Sequence, residues 1–252
     1  SDLTAELEAQ VREHSVWWPV DVPAPDLAAA LVPMHDTPLG PLADNLTLRQ
    51  IGLRDRLREM DFEFPLAGGD LGATAPRIHL RDVGRLVAEH LASDDPLASY
   101  AERLSGDALG NQPLRGYLNG SIDAVLRIPS DDGDHHRYVV VDYKSNWLGD
   151  GDGSLTSADY ERARLIEAML HSDYPLQALL YSVVLHRFLR WRQPGYDPER
   201  HLGGVLYLFV RGMCGPDTPV VDGHPAGVFD WQPPASLIVA MSELLDAGKA
   251  AA

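Results

Sequence analysis

One stretch of the sequence leaves the chain few choices of fold. Leu114 to Ile128 carries the alternation of a β-strand, and Ser130-Asp131-Asp132-Gly133-Asp134 is turn chemistry. Arg137 to Lys144 reads as a second strand, with Val139-Val140-Val141 at its centre. Two such runs joined by a polar turn form a hairpin. A strand that apolar is a buried one, and a buried strand rarely accepts a charge without a reason. Asp142 follows the valines directly.

Around this hairpin the periodicity alternates between helix and strand. Residues 2–14 form an amphipathic helix, with Leu3, Leu7 and Val11 on one face; Trp17-Trp18-Pro19-Val20 and later prolines stop it. Asp26 to Leu31 is a short helix inside an otherwise mixed stretch over 21–50. Glu59 to Phe64 alternates acid and apolar residues, the period of a half-buried strand, and Gly68-Gly69-Asp70 ends it. Helices are expected at 81–92 and 96–105. Another runs from a cap at Thr156 or Ser157 to about His171. Asp173-Tyr174-Pro175 restarts a helix to about Trp191, with the acid as cap and proline in the first turn. Gly203-Gly204 opens a strand, Val205 to Val210, apolar enough to be buried on both faces. A last helix covers about 236–247. The expected class is α/β, a mixed sheet flanked by helices, with extra helices at both ends of the chain. No linker divides it, so residues 1–252 are taken as one domain: a lead segment 1–57, a core 58–212, and a loop and helix over 213–252.

Composition narrows the function classes. No apolar run approaches the ~20 residues of a membrane helix, and the first residues are not a signal peptide. The one cysteine, Cys214, excludes a disulfide framework and any four-cysteine metal site; a cytoplasmic setting is the plain reading. The formal charge of −16 argues against unaided capture of DNA, because free-standing DNA binders neutralise phosphates with a basic surface.

The chemistry-bearing residues converge on the hairpin. Asp142 and Lys144 are two apart on one strand and so share a face. Asp123 lies on the preceding strand, where folding back can bring it beside Asp142. Two hard carboxylates suit Mg²⁺, which keeps waters for exchange. Such a metal neutralises a phosphate under attack and acidifies water. A lysine beside it can stabilise developing negative charge or act as a base. The spacing alone serves equally well for a salt bridge at a strand end. Gln177 and Tyr181, four apart on a helix, share a face and can line a nucleic-acid groove or form a polar helix edge. An acid–base carboxylate pair for glycosides is a remote alternative.

The strings Gly116-Tyr117-Leu118-Asn119-Gly120-Ser121-Ile122-Asp123 and Val141-Asp142-Tyr143-Lys144-Ser145-Asn146-Trp147-Leu148-Gly149 closely resemble the RecB-like branch of the PD-(D/E)XK nuclease superfamily. So do Tyr174 to Tyr181, Leu185 to Leu189 and Gly203 to Gly212. The resemblance implies a restriction-endonuclease-like fold and a deoxyribonuclease dependent on Mg²⁺, with Mn²⁺ as substitute. It implies Asp123 and Asp142 as metal ligands, with the Tyr143 carbonyl as a further one. It implies Lys144 as the catalytic lysine, and Gln177 and Tyr181 as the Gln-x-x-x-Tyr motif that contacts DNA. It implies a helicase motor, RecC-like and RecD-like subunits, and single strands unwound from broken duplex ends. A motor that delivers DNA also accounts for the acidity. The family carries an additional metal-binding histidine upstream. His14 lacks the glycine pattern that precedes it, so the chain is expected to be a fragment with weak metal affinity and low activity alone. The alternative function is a nuclease-fold module that docks partner subunits or a recombinase. An exposed Leu237-Ile238-Met241-Leu244-Leu245 face on the last helix would favour it.

Overall fold

A computed structural model describes residues 2–17, 21–66, 78–130, 133–151 and 153–246. Its helices are α1 (Leu3–Ser15), α2 (Ala24–Asp36), α3 (Leu80–His90), α4 (Tyr100–Ser105), α5 (Arg162–His171), α6 (Tyr174–Arg192), α7 (Pro198–His201) and α8 (Ala235–Asp246). Its strands are β1 (Arg56–Pro65), β2 (Ile78–His79), β3 (Pro113–Leu114), β4 (Tyr117–Pro129), β5 (His136–Lys144), β6 (Leu202–Phe209), β7 (Val220–Val221), β8 (His224–Pro225) and β9 (Val228–Trp231). Five strands make one mixed sheet in the order β1-β4-β5-β6-β9, flanked by helices: a restriction-endonuclease-like fold.

The expected hairpin is the centre of that sheet. β4 pairs antiparallel with β1 on one side and β5 on the other. Val139, Val140 and Val141 are fully buried, and every residue of β6 is buried. Burying the apolar part of a valine side chain is worth about 1.5–3 kcal/mol, so the hairpin can carry one charged residue at its end. Gly203 lets β6 come close: a Cβ there would lie 2.8 Å from Val139 Cγ2 and 3.1 Å from the Tyr138 carbonyl oxygen.

Several elements differ from their sequence reading, each for a local reason. α2 runs through Pro33 to Asp36, longer than the expected short helix; the Pro33 carbonyl accepts from the Thr37 hydroxyl at 3.0 Å. Thr156 does cap, but it caps a 3₁₀ turn over Ser157–Tyr160, closed by an Asp159 capping box, before α5 starts anew. Asp173 precedes α6 but makes no capping bond with its side chain. Its carboxylate takes hydrogen bonds from Arg103 at 3.1 Å and the Tyr100 hydroxyl at 3.3 Å instead. Gly68-Gly69-Asp70, Trp18-Pro19-Val20 and Asp131-Asp132 lie outside the described residues.

The chain divides into two compact units, each built from three separate stretches: 1–53, 143–165 and 207–230 in one; 54–142, 166–206 and 231–252 in the other. In the first unit, Thr37 and Thr218 tie distant segments together. The Gly215 amide donates to the Thr37 hydroxyl at 2.8 Å, and the Cys214 amide donates to the Thr218 hydroxyl at 2.9 Å. Arg162 pairs with Asp230, which also bonds His224 at 2.8 Å. In the second unit, α8 is fixed to α6 through Arg187, which donates to the Ser242 hydroxyl (3.0 Å) and carbonyl (2.9 Å). Of the α8 face that would have favoured a docking module, Leu237, Ile238, Met241 and Leu245 are buried and Leu244 is half-buried, so most of it is spent on the core.

The second unit also buries a titratable side chain on α6. His186 is 4% exposed and its Nδ1 lies 2.8 Å from the Tyr196 hydroxyl. Burial, and then the charges of Arg190 and Arg187, push its pKa below the ordinary 6.5. As pH falls, the unfolded chain therefore takes up this proton first. Stability is fully present above the unfolded pKa and is lost as pH falls toward the folded one. Denaturation midpoints between about pH 7.5 and 5.5 should fall less in His186→Gln than in the parent chain; equal slopes would refute the assignment.

Candidate active site

The β4–β5 register places the two hairpin carboxylates. The last ladder pair is Ala124 with Val141, and Asp123 and Asp142 are the next residues out on each strand. Asp142 is 4% exposed, an unusual depth for a carboxylate, at the end of the buried valine run. Asp123 is half-buried.

The neighbouring strand is distorted at the same level. The β1–β4 register pairs Arg58 with Ala124 and Met60 with Ile122, which leaves Glu59 opposite Asp123. Glu59 has φ +50°, in the left-handed region. That conformation costs a non-glycine residue about 1–2 kcal/mol. Strain of this kind is held in place only where the surroundings over-determine it, and it gathers at functional sites. The alternating pattern of β1 reads straight through Glu59, so the sequence carried no signal of it.

Helix α6 brings two more residues to this unit's carboxylates. The Gln177 side-chain amide donates to the Tyr181 hydroxyl at 2.9 Å, the i, i+4 pairing expected of a shared face. The Phe62 ring of β1 meets the Tyr181 ring edge-on, with centroids 5.9 Å apart. Burial raises the Tyr181 pKa, and the negative charges of Asp142 and Asp123 raise it further, while the Gln177 hydrogen bond acts in the opposite sense. Tyr181 therefore remains an O–H donor at neutral pH, within electrostatic reach of both carboxylates.

The boundary between the units falls between Asp142 and Tyr143. On the far side, β5 continues for two residues. Tyr143 is 37% exposed. The Lys144 ammonium lies 5.2 Å from the centroid of the fully buried Tyr207 ring. A cation over an aromatic face gains about 0.5–2 kcal/mol and is held in direction. The sequence marked Tyr207 only as part of a buried strand; its place beneath the lysine depends on a pairing between distant segments.

Among the described residues, no group of three or more His, Cys, Asp or Glu side chains is placed to hold a metal ion. His14 lies exposed on α1. The donor set on the hairpin is two carboxylates, with backbone carbonyls beside them. That suits Mg²⁺, which binds through one or two carboxylates and completes its shell with water and phosphate, better than it suits a zinc-type site.

No family model matches the chain. Known proteins do. A RecBCD enzyme subunit RecB from Mycolicibacterium smegmatis is 70% identical over 247 residues, covering 98% of this chain. The chain belongs to the RecB family. RecB of Mycobacterium tuberculosis H37Rv is 68% identical over 252 residues. RecB of Escherichia coli K12 is 35% identical over 202 residues, 79% of this chain. The chain spans 22% of the two mycobacterial RecB subunits and 14% of the Escherichia coli one. No helix among the described residues is long and apolar enough to cross a membrane.

Proposed function

We propose that this chain is the nuclease module of a RecBCD-type DNA repair enzyme, hydrolysing phosphodiester bonds in unwound strands at duplex breaks. The observation that carries the reading is the placing of Asp123 and Asp142 at neighbouring outward positions of the β4–β5 ladder, one of them 4% exposed. Two carboxylates side by side are a pair of hard oxygen ligands suited to a shared divalent cation. Membership of the RecB family gives that pairing a purpose.

In this proposal Asp123, Asp142 and the Tyr143 carbonyl hold Mg²⁺. The bound ion would supply charge neutralisation on the scissile phosphate and a more acidic water. The chain's own residues do the rest. Lys144, directed by Tyr207, sets a positive charge where negative charge grows on the phosphoryl oxygens. Tyr181, kept protonated, offers its O–H to a phosphate, and Gln177 fixes the phenol's orientation from one helical turn away. RecC-like and RecD-like subunits and a helicase motor would deliver the strand, which relieves a chain of net charge −16 of capturing DNA unaided.

The test is direct. The chain should cleave single-stranded DNA slowly and only in excess Mg²⁺ or Mn²⁺, in keeping with the weak metal affinity expected of it alone, and a chelator should reduce cutting to background. Cleavage that persists at full rate in chelator, or no cleavage with either ion, overturns the reading.

A further inference from the structure

We propose that Trp147, backed by Arg211, is a stacking platform for a base of single-stranded nucleic acid, three residues along the chain from Lys144. The inference rests on the nuclease reading and adds a substrate-positioning residue to it.

Trp147 is 49% exposed, directly after a strand whose centre is fully buried. Leaving that much indole in water costs free energy, which a merely structural tryptophan would recover by packing. Yet the backbone around it is held. The Arg211 Nε–H donates to the Ser145 carbonyl at 2.9 Å. The Tyr160 hydroxyl donates to the Asn146 carbonyl at 2.8 Å and accepts from the Leu148 amide at 3.4 Å. Residues on both sides of Trp147 are thus tied to Arg211 and to the fully buried Tyr160.

Two details shape the platform. The Arg211 guanidinium lies 5.9 Å from the Trp147 ring centroid, so a cation accompanies the indole. Gly149 lets the chain pass close by: a Cβ there would come within 3.3 Å of Trp147 Nε1 and 2.7 Å of Leu155 Cδ2. The result is a rigid, half-exposed aromatic with an adjacent positive charge.

The chemistry favours a nucleobase as the occupant. A chain of net charge −16 gains little from long-range attraction to phosphates. Stacking needs no net charge, tolerates any base, and is worth about 1–3 kcal/mol per base. Three residues of extended chain span at most about 10 Å, roughly three stacked bases at 3.4 Å each. A base on Trp147 would therefore fix which phosphate of the same strand reaches Lys144.

The experiment compares this chain with its Trp147→Ala, Trp147→Phe and Arg211→Gln variants, using a fluorescent oligothymidylate. Binding is read in Ca²⁺ and cleavage in Mg²⁺, with near-ultraviolet circular dichroism as the check on folding. Trp147→Ala should weaken binding and raise KM about 10- to 100-fold, with kcat within about twofold. Trp147→Phe should recover most of the loss, and Arg211→Gln should lose less than Trp147→Ala. An oligonucleotide with abasic sites should bind the parent chain as weakly as the intact one binds Trp147→Ala, and removing ring and base together should add little. If the parent chain cuts and Trp147→Ala keeps its KM, the platform is wrong and the nuclease reading stands. If binding depends on Trp147 but the parent chain does not cut, the platform stands and the nuclease reading falls. Equal binding of abasic and intact oligonucleotides by the parent chain also overturns the platform.

Discussion

Asp142→Asn should abolish measurable DNA cleavage while leaving the protein folded. The substitution keeps volume and shape but removes a charge from a position 4% exposed. At that depth, with Asp123 next to it in register, the carboxylate is placed to share a cation rather than to solvate the surface. A carboxylate kept only for structure would show the reverse pattern, full activity and lower stability. Lys144→Ala should lower the cleavage rate about 10²- to 10³-fold, the usual effect of removing one group that stabilises transition-state charge, and should leave oligonucleotide binding nearly unchanged. Single-turnover cleavage together with thermal unfolding of both variants decides the matter. Unchanged cutting by either variant would end the assignment of the hairpin as the active site.

The second large effect is expected far from any charge. Gly212→Ala should destabilise the protein by about 3 kcal/mol or more. A Cβ at Gly212 would sit 2.4 Å from Tyr160 Cβ, 2.5 Å from Tyr160 Cγ and 3.0 Å from the Gly227 Cα. None of these atoms can yield cheaply. Tyr160 is fully buried and its hydroxyl is engaged by Asn146 and Leu148, while Gly227 is itself held at φ +78° by its turn. For a domain of this size the melting temperature should fall by roughly 6–12 °C. Gly133→Ala is the control. Gly133 has a positive φ, +71°, which Gly212 does not, and a Cβ there meets nothing within 4 Å. Only backbone strain remains, about 1 kcal/mol. Equal losses at the two positions would mean that the Tyr160 contact costs no more than dihedral strain does at Gly133, and would overturn the prediction. A displaced Tyr160 would also loosen residues 146–148, so Gly212→Ala should raise KM for single strands in whatever protein stays folded.

What could be read from the sequence depended on the range of the forces involved. The valine run of β5, the alternation of β1 and the Tyr174-Pro175 start of α6 are local patterns, and the corresponding elements stand close to where those patterns put them. β9 was missed because four residues, Val228–Trp231, are too few to show a period. The backbone entering it is fixed by Phe209, whose amide donates to the Gly227 carbonyl at 2.7 Å across a long gap in sequence. Asp173 offered a good local cap and was drawn away by Arg103, seventy positions earlier. The candidate site divides in the same way. Asp123, Asp142, Tyr143, Lys144, Gln177 and Tyr181 could be named from spacing and resemblance. Glu59 and Tyr207 could not, because a strained φ and a ring beneath a lysine arise only when distant strands meet.

The clasp formed by Thr37, Gly215 and Thr218 has a consequence for how the protein is made. The Gly215 and Thr218 partners of Thr37 lie 178 and 181 positions downstream. At about 5–20 residues per second, α1 and α2 would emerge from the ribosome roughly 10–35 s before the segment that locks them exists. During that interval the helical pair is exposed with its closing contacts unmade, so its survival during synthesis depends on its own solubility. The acidic residues Glu6, Glu8 and Glu13 on α1, and Asp26 and Asp36 on α2, would then serve the nascent chain as much as the finished one.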